Sequence, residues 1–203
     1  MMDLPFNDPV IAKIHEHGSL KVIEKTSNLF VDLVEDIVSQ QLSGRVAETI
    51  FKRFCAIFPN SMPSPDLLDK CSIEELRAVG LSNAKANYVK NIAKYALENN
   101  LTVELFDKLS DEDIINELTK IKGVGVWTAQ MVLIFSLNRP DVFPPNDLAI
   151  QQQMKKLYRL NHEGKELVKA IVSISEKWKP NRTIGTRLVW NSINIEKTQN
   201  IRF

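Results

Sequence analysis

A helical spacing of apolar residues recurs almost from one end of this chain to the other, and nothing else in it limits the fold as strongly. Leu29, Phe30, Leu33, Val34, Ile37 and Val38 form the i, i+3, i+4, i+7, i+8 stripe that one face of an α-helix presents. Val46, Ala47, Ile50, Phe51, Phe54 and Cys55 repeat it, as do Tyr88, Val89, Ile92, Ala93, Ala96 and Leu97. Residues 128–137 are apolar on nearly every side, which predicts a buried helix. Further helices are predicted at about 148–160, 165–176 and 184–193. Alternating patterns are short and flanked by helical ones, so no strand is predicted and the fold class is all-α.

The punctuation between these stripes agrees with them. Gln41-Leu42-Ser43-Gly44 reads as a short turn, and the three prolines between Pro59 and Pro65 read as a loop. Ser72 followed by Glu75 forms a capping box that opens a short helix to Val79, ended by Gly80. Ser110 followed by Asp113 opens another, ending near Lys120; Pro140, Pro144 and Pro145 break the chain again. Gly80-Leu81-Ser82-Asn83-Ala84-Lys85-Ala86 faintly echoes Gly123-Val124-Gly125-Val126-Trp127-Thr128-Ala129.

A chain of 203 residues suits one compact domain or two small lobes sharing a core. No apolar run approaches the ~18 residues of a membrane span, and residues 1–8 lack a basic patch followed by an apolar stretch. Only Cys55 and Cys71 are present, too few for a four-cysteine cluster and without the histidine spacing of a zinc site. Cys55 lies in an apolar helical pattern and is read as a small core residue in a reducing, intracellular setting. His15, His17 and His162 fall in segments read as exposed and receive no role. The net charge is only +1, so a nucleic-acid surface would have to concentrate its positive charge on one face.

Two segments carry candidate chemistry. In Leu118-Thr119-Lys120-Ile121-Lys122-Gly123-Val124-Gly125-Val126-Trp127-Thr128-Ala129, a glycine corner joins two helices. The amides at the start of the second helix favour an anion such as a phosphate, and Lys120 and Lys122 add positive charge. The same glycines would equally serve a plain helix–helix corner. Downstream, Val142-Phe143-Pro144-Pro145-Asn146-Asp147-Leu148 leads from a proline-stiffened loop into a helix. Asp147 is either a simple capping carboxylate or one held ionised by the helix terminus for chemistry, with Asn146 an alternative cap.

Taken together, Gly-Val-Gly-Val-Trp-Thr-Ala and Asp-Val-Phe-Pro-Pro-Asn-Asp resemble the helix-hairpin-helix–Gly/Pro–Asp DNA glycosylases, most of all the alkylpurine branch typified by 3-methyladenine DNA glycosylase II. Ile37-Val38-Ser39-Gln40-Gln41-Leu42-Ser43, Gly80-Leu81-Ser82-Asn83-Ala84-Lys85, Lys177-Trp178-Lys179-Pro180-Asn181-Arg182 and Leu188-Val189-Trp190 also match. The resemblance runs from about 29 to 193. It implies one helical domain over 1–203, with lobe one at about 30–139 and lobe two at about 1–29 plus 140–203, and the active site between lobes. Some members carry an extra α/β domain before the helical part; only about 28 residues precede Leu29 here, which implies the helical core alone.

The resemblance also implies a function and a set of site residues. The expected activity is hydrolysis of the N-glycosidic bond of alkylated purines in base excision repair. Bifunctional relatives carry a nucleophilic lysine where this chain has Trp127, so a monofunctional enzyme using water is implied, although Lys85, Lys120 and Lys122 are near in sequence. Asp147 becomes the catalytic candidate, stabilising the sugar cation or orienting water. Trp127 and Trp190 are placed at the base, against a reading of both as core residues. Leu42 is placed as the wedge that fills the gap left by an extruded base, against a reading as a helix-end contact. Gly123, Val124, Gly125, Lys120, Lys122 and Thr128 are implied DNA contacts, and the carbonyls of Thr119, Ile121 and Val124 a seat for Na⁺ or K⁺. No other cofactor is expected. The expected partner is double-stranded DNA containing alkylated bases, bound by a monomer with no membrane association. The alternatives are a DNA-binding module without catalysis, a glycosylase for another damaged base, and a helical protein-interaction domain.

Overall fold

The computed structural model describes residues 4–42 and 44–203; Ser43, in the predicted turn, and residues 1–3 lie outside the described residues. No strand occurs among the described residues. The helices are α1 (Pro9–His17), α2 (Leu29–Ser39), α3 (Gly44–Ala56), α4 (Pro65–Lys70), α5 (Ile73–Ala78), α6 (Asn83–Glu98), α7 (Val103–Phe106), α8 (Asp111–Leu118), α9 (Val126–Met131), α10 (Leu148–Leu157), α11 (Gly164–Ser175) and α12 (Arg182–Gln199). They fall into two compact units, Lys25–Leu137 and, from the two ends of the chain, Met1–Glu24 with Asn138–Phe203.

The first unit is built around α2. Its stripe is buried as the spacing requires: Leu29, Phe30, Leu33, Val34, Ile37 and Val38 all lie inside, packed against α3, α6 and α9. The buried face of α6 supplies Ala86, Val89, Ile92 and Ala93. The predicted capping box forms, with Ser72 and Glu75 satisfying each other's backbone amides. After α9 the chain widens into a π-helical turn over Val132–Ser136, where Leu137 bonds back to Val132. Most of this segment is buried, yet Phe135 is 45% exposed.

The second unit surrounds Trp178, which is wholly buried. Its ring stacks on Phe6 and meets the edge of Phe143, and its indole N–H donates to Asp8 at 2.9 Å. Asp8 also caps α1 and accepts the Tyr158 hydroxyl. Gly185 is required by close approach: a Cβ there would lie 2.4 Å from the Trp178 ring.

Several boundaries differ from the sequence reading. Helices α1, α4 and α7 were not foreseen. Pro65 reads as part of a loop, but it and Pro9 each occupy a first-turn position behind a capping residue, where a missing amide costs nothing. Helix α6 starts at Asn83 because Ser82 caps it, α10 ends at Leu157 rather than near 160, and α12 continues to Gln199. Cys55 is half-buried rather than a core residue, because the deeper position on α3 is taken by Phe54. His15 is likewise half-buried, not exposed, since α1 packs on α12.

Candidate functional site

The glycine corner in Lys25–Leu137 is a tightly bonded loop. The amides of Lys120 and Ile121 donate to Glu117 and Leu118 as α8 ends, and Val124 donates to Ile121 at 2.9 Å. The side-chain amide of Asn91 on α6 fastens the loop through the Lys122 carbonyl at 2.9 Å. Gly123 is needed twice over. Its φ of +108° lies in the left-handed region, and a Cβ there would come within 2.3 Å of the Tyr88 ring. Gly125 differs: it sits at the N-cap of α9 with extended backbone and no capping side chain, and a Cβ there would meet nothing within 4 Å. Among the described residues no neighbour demands that glycine. Its effect is to leave the amide end of α9 uncovered toward an external group.

The residues around the corner divide between outward and inward. Val126 and Trp127 are exposed, 50% and 40% respectively, so the core-packing reading of Trp127 is overturned. Lys122 is exposed. Lys120 is exposed but shares its charge with Glu117 at 2.5 Å, and Lys120 with the Tyr95 hydroxyl holds the Glu117 carboxyl below its usual range. Thr128 corrects an expectation: it is only 2% exposed, and its hydroxyl accepts from the Gln40 amide at 3.0 Å, so its side chain faces inward and any contact from this residue is left to its backbone. The Thr119, Ile121 and Val124 carbonyls lie in this one loop; that of Ile121 takes one hydrogen bond and keeps a lone pair. Hard oxygen donors of this kind suit Na⁺ or K⁺.

Leu42 follows the end of α2. Gln40 caps that helix, and Gln41 takes a left-handed φ of +58°. Leu42 is half-buried in the turn beyond. Lys85 is committed to this turn: its ammonium donates to the carbonyls of Val38 at 2.8 Å and Gln40 at 2.6 Å. Those bonds aim the Lys85 ammonium at the end of α2. Partial burial also lowers the pKa of its ammonium.

Asp147 lies in the unit that contains Trp178. The loop leading to it is pinned to α12: Thr183 accepts from the Val142 amide at 3.0 Å and donates to Arg139, while Thr186 donates to the Val142 carbonyl at 3.1 Å. Arg182 grips both oxygens of Asp141 at 2.8 and 2.9 Å. Burial opposes ionisation of Asp141, but the guanidinium outweighs it and holds the carboxyl below its usual range. Asp147 itself caps α10, with Oδ1 accepting the Ile150 amide at 2.8 Å. This overturns Asn146 as the alternative cap; Asn146 is exposed, whereas Asp147 is 9% exposed. Trp190, half-buried on α12, directs its indole N–H at the same Oδ1 from 3.3 Å. One carboxylate is therefore fixed by a helix terminus and an aromatic ring, an arrangement able to stabilise a developing positive charge. Trp178, in contrast, is wholly buried and bonded to Asp8.

Sequence reasoning quoted Gln40, Lys85 and Arg182 within matching segments but gave them no positive role, and it passed over Asn91, Thr183 and Thr186. Their partners lie 31 to 88 residues away, so no local spacing could reveal them.

The chain's likeness to known proteins converges on one group. Residues 34–180 match the pattern of the HhH-GPD superfamily base excision DNA repair proteins. DNA-3-methyladenine glycosylase 1 of Schizosaccharomyces pombe is 36% identical over 165 residues, covering 80% of this chain and 72% of that protein. The putative DNA-3-methyladenine glycosylase YfjP of Bacillus subtilis is 30% identical over 188 residues, covering 90% of this chain and 64% of that protein. Among solved structures, S. pombe 3-methyladenine DNA glycosylase in complex with abasic DNA superimposes with a TM-score of 0.84 at 31% identity, covering 97% of this chain and 95% of that one.

Proposed function

This chain belongs to the HhH-GPD superfamily of base excision DNA repair proteins, and on that footing we propose that it is a monofunctional DNA glycosylase that hydrolyses the N-glycosidic bond of alkylated purines such as 3-methyladenine and 7-methylguanine. The named glycosylases to which it is 30% and 36% identical support that substrate class. The observation that carries the chemistry is the Asp147 carboxylate, fixed by the α10 terminus and the Trp190 indole.

Alkylation at N3 of adenine or N7 of guanine makes the base cationic, so it departs as a neutral molecule and needs little help from an acid. Positive charge then grows on the sugar as the bond breaks. A carboxylate ~4 Å from that charge, in an effective dielectric near ~20, contributes about 4 kcal/mol. Felt only in the transition state, this is about a thousandfold in rate. Water adds to the sugar carbon and loses a proton, which completes the hydrolysis. Trp127, with its exposed ring, and Trp190, beside the carboxylate, each offer an electron-rich face to a cationic base. Trp127 cannot form a Schiff base, which supports the use of water.

Double-stranded DNA is the proposed partner of a monomeric enzyme, gripped at the open amide end of α9 beside Gly123 and Gly125, with Lys122 and Lys120 adding charge. The carbonyls of Thr119, Ile121 and Val124 would hold a monovalent cation, which supplies positive charge toward a phosphate when bound. Leu42 is the proposed wedge. No helix among the described residues is long and apolar enough to cross a membrane, and a DNA substrate supports an intracellular, nucleoid or nuclear, location.

Incubation with methylated duplex DNA, followed by chromatography of released bases, tests the proposal. The parent is expected to release 3-methyladenine and 7-methylguanine, and Asp147→Asn to release them at least about a hundredfold more slowly. Duplex binding without base release would leave a binding module; undiminished release by Asp147→Asn would remove the carboxylate from the mechanism.

A further inference from the structure

Two side chains without an assigned role tie the Leu42 turn to its neighbours: Lys85 fastens it to α6, and Gln40 fastens it to α9, the helix that follows the glycine corner. The carbonyls that Lys85 engages, at 2.8 and 2.6 Å, belong to Val38 and Gln40 at the end of α2, where helical amide partners run out. A cation is favoured there by the helix dipole. The next residue, Gln41, has a φ of +58°, a conformation that an L residue keeps only when its surroundings hold it. Gln40 in turn extends its side-chain amide to the buried hydroxyl of Thr128 on α9, 3.0 Å away. The turn borders an open cavity of about 230 Å³ lined by Val38, Gln40, Leu42, Ile50, Leu81 and Lys85. On this open side the polar contacts of Lys85 and Gln40 hold the turn in place.

We propose that Lys85 and Gln40 are positioning residues for base extrusion. Lys85 locks the wedge turn to α6 and Gln40 locks it to α9, so that Leu42 enters the duplex at a set step from the phosphate held at the glycine corner. The inference rests on the glycosylase reading above and adds to it where the force for extrusion is anchored. A loose wedge should cost most when the lesion is paired and stacked, and least when no partner base opposes its exit.

Base release is to be compared on a duplex with a paired 7-methylguanine and on the same duplex with the lesion in an unpaired bulge. For Lys85→Met, Gln40→Leu and Leu42→Ala, the ratio of the paired to the unpaired rate is expected to fall at least about tenfold, and Lys85→Arg to restore it by returning the donor. An unchanged ratio, whether both rates fall together or neither falls, would overturn the inference. Should Lys85→Met fail to fold in a thermal scan, Gln40→Leu decides. A second readout does not need catalysis: 2-aminopurine placed opposite an abasic analogue should brighten when the parent unstacks it, and not with Lys85→Met. Brightening by a parent that releases no base would reject the glycosylase reading and keep the positioning one. Base release by the parent with an unaltered Lys85→Met ratio would do the reverse.

Discussion

Trp190 donates its indole N–H to Oδ1 of Asp147 from 3.3 Å, and that oxygen is also the one that caps α10. A single carboxylate thus has a structural duty and, in the proposed reaction, an electrostatic one. The two can be separated. Asparagine caps helices as well as aspartate does but carries no charge. Asp147→Asn should therefore unfold within about 2 °C of the parent, while Asp147→Ala loses the cap, costs about 1 kcal/mol and melts roughly 2–4 °C lower. Both should lose base release to a similar extent. Differential scanning calorimetry beside the release assay checks this; a much larger activity loss in Ala than in Asn would mean that placement of α10, not charge, carries the effect.

The glycines at the corner should respond in opposite ways. Gly123→Ala forces a Cβ into a left-handed position 2.3 Å from Tyr88, and should cost more than ~2 kcal/mol in urea unfolding. Gly125→Ala meets open space and should stay within about 0.5 kcal/mol of the parent. Its methyl group would nevertheless stand at the α9 terminus, and affinity for duplex DNA should weaken severalfold in a fluorescence-anisotropy titration. Unaltered affinity would show that the corner is only a corner.

Asp36 makes stability depend on pH. Burial, then the charges of Asp32 and Glu35, push its carboxyl from 3.8 up to about 7. Between those two values the folded chain holds a proton that the unfolded chain has released, so stability is greatest at the acid side of that window and declines as pH rises through it. Asp36→Asn has no proton to lose. Its urea midpoint should exceed the parent's at about pH 8, with the gap narrowing through the window and closing toward about pH 4. Equal midpoints throughout would show that Asp36 ionises without penalty.

The tryptophans should separate by role. Trp178 is wholly buried and bonded to Asp8, so Trp178→Phe should cost about 2–4 kcal/mol in stability, with little change in activity per folded molecule. Trp127, 40% exposed, should show the reverse: Trp127→Ala within about 1 kcal/mol of the parent in stability, but with reduced release of cationic bases. Thermal unfolding and single-turnover release distinguish them.

The apolar stripe of α2 and the Ser72–Glu75 capping box were legible in the sequence because helical spacing and first-turn capping depend only on neighbours three or four residues away. The glycine corner and Asp147 were legible for the same reason, with the resemblance supplying their roles. Short helices begun by a proline, such as α1 and α4, escaped because the residue that breaks a helix interior also suits its first turn. Only the tertiary structure decided that Asp147 rather than Asn146 caps α10, that Thr128 turns inward to Gln40, and that Lys85 is held by the end of α2. The Asp147 cap is itself local, but the Trp190 indole that shares its oxygen comes from 43 residues away, and the Thr128 and Lys85 contacts join groups 45 to 88 residues apart; such meetings are set by how helices pack, and local sequence dictates which face of a helix is buried, but not which polar atoms the burial brings within hydrogen-bonding distance.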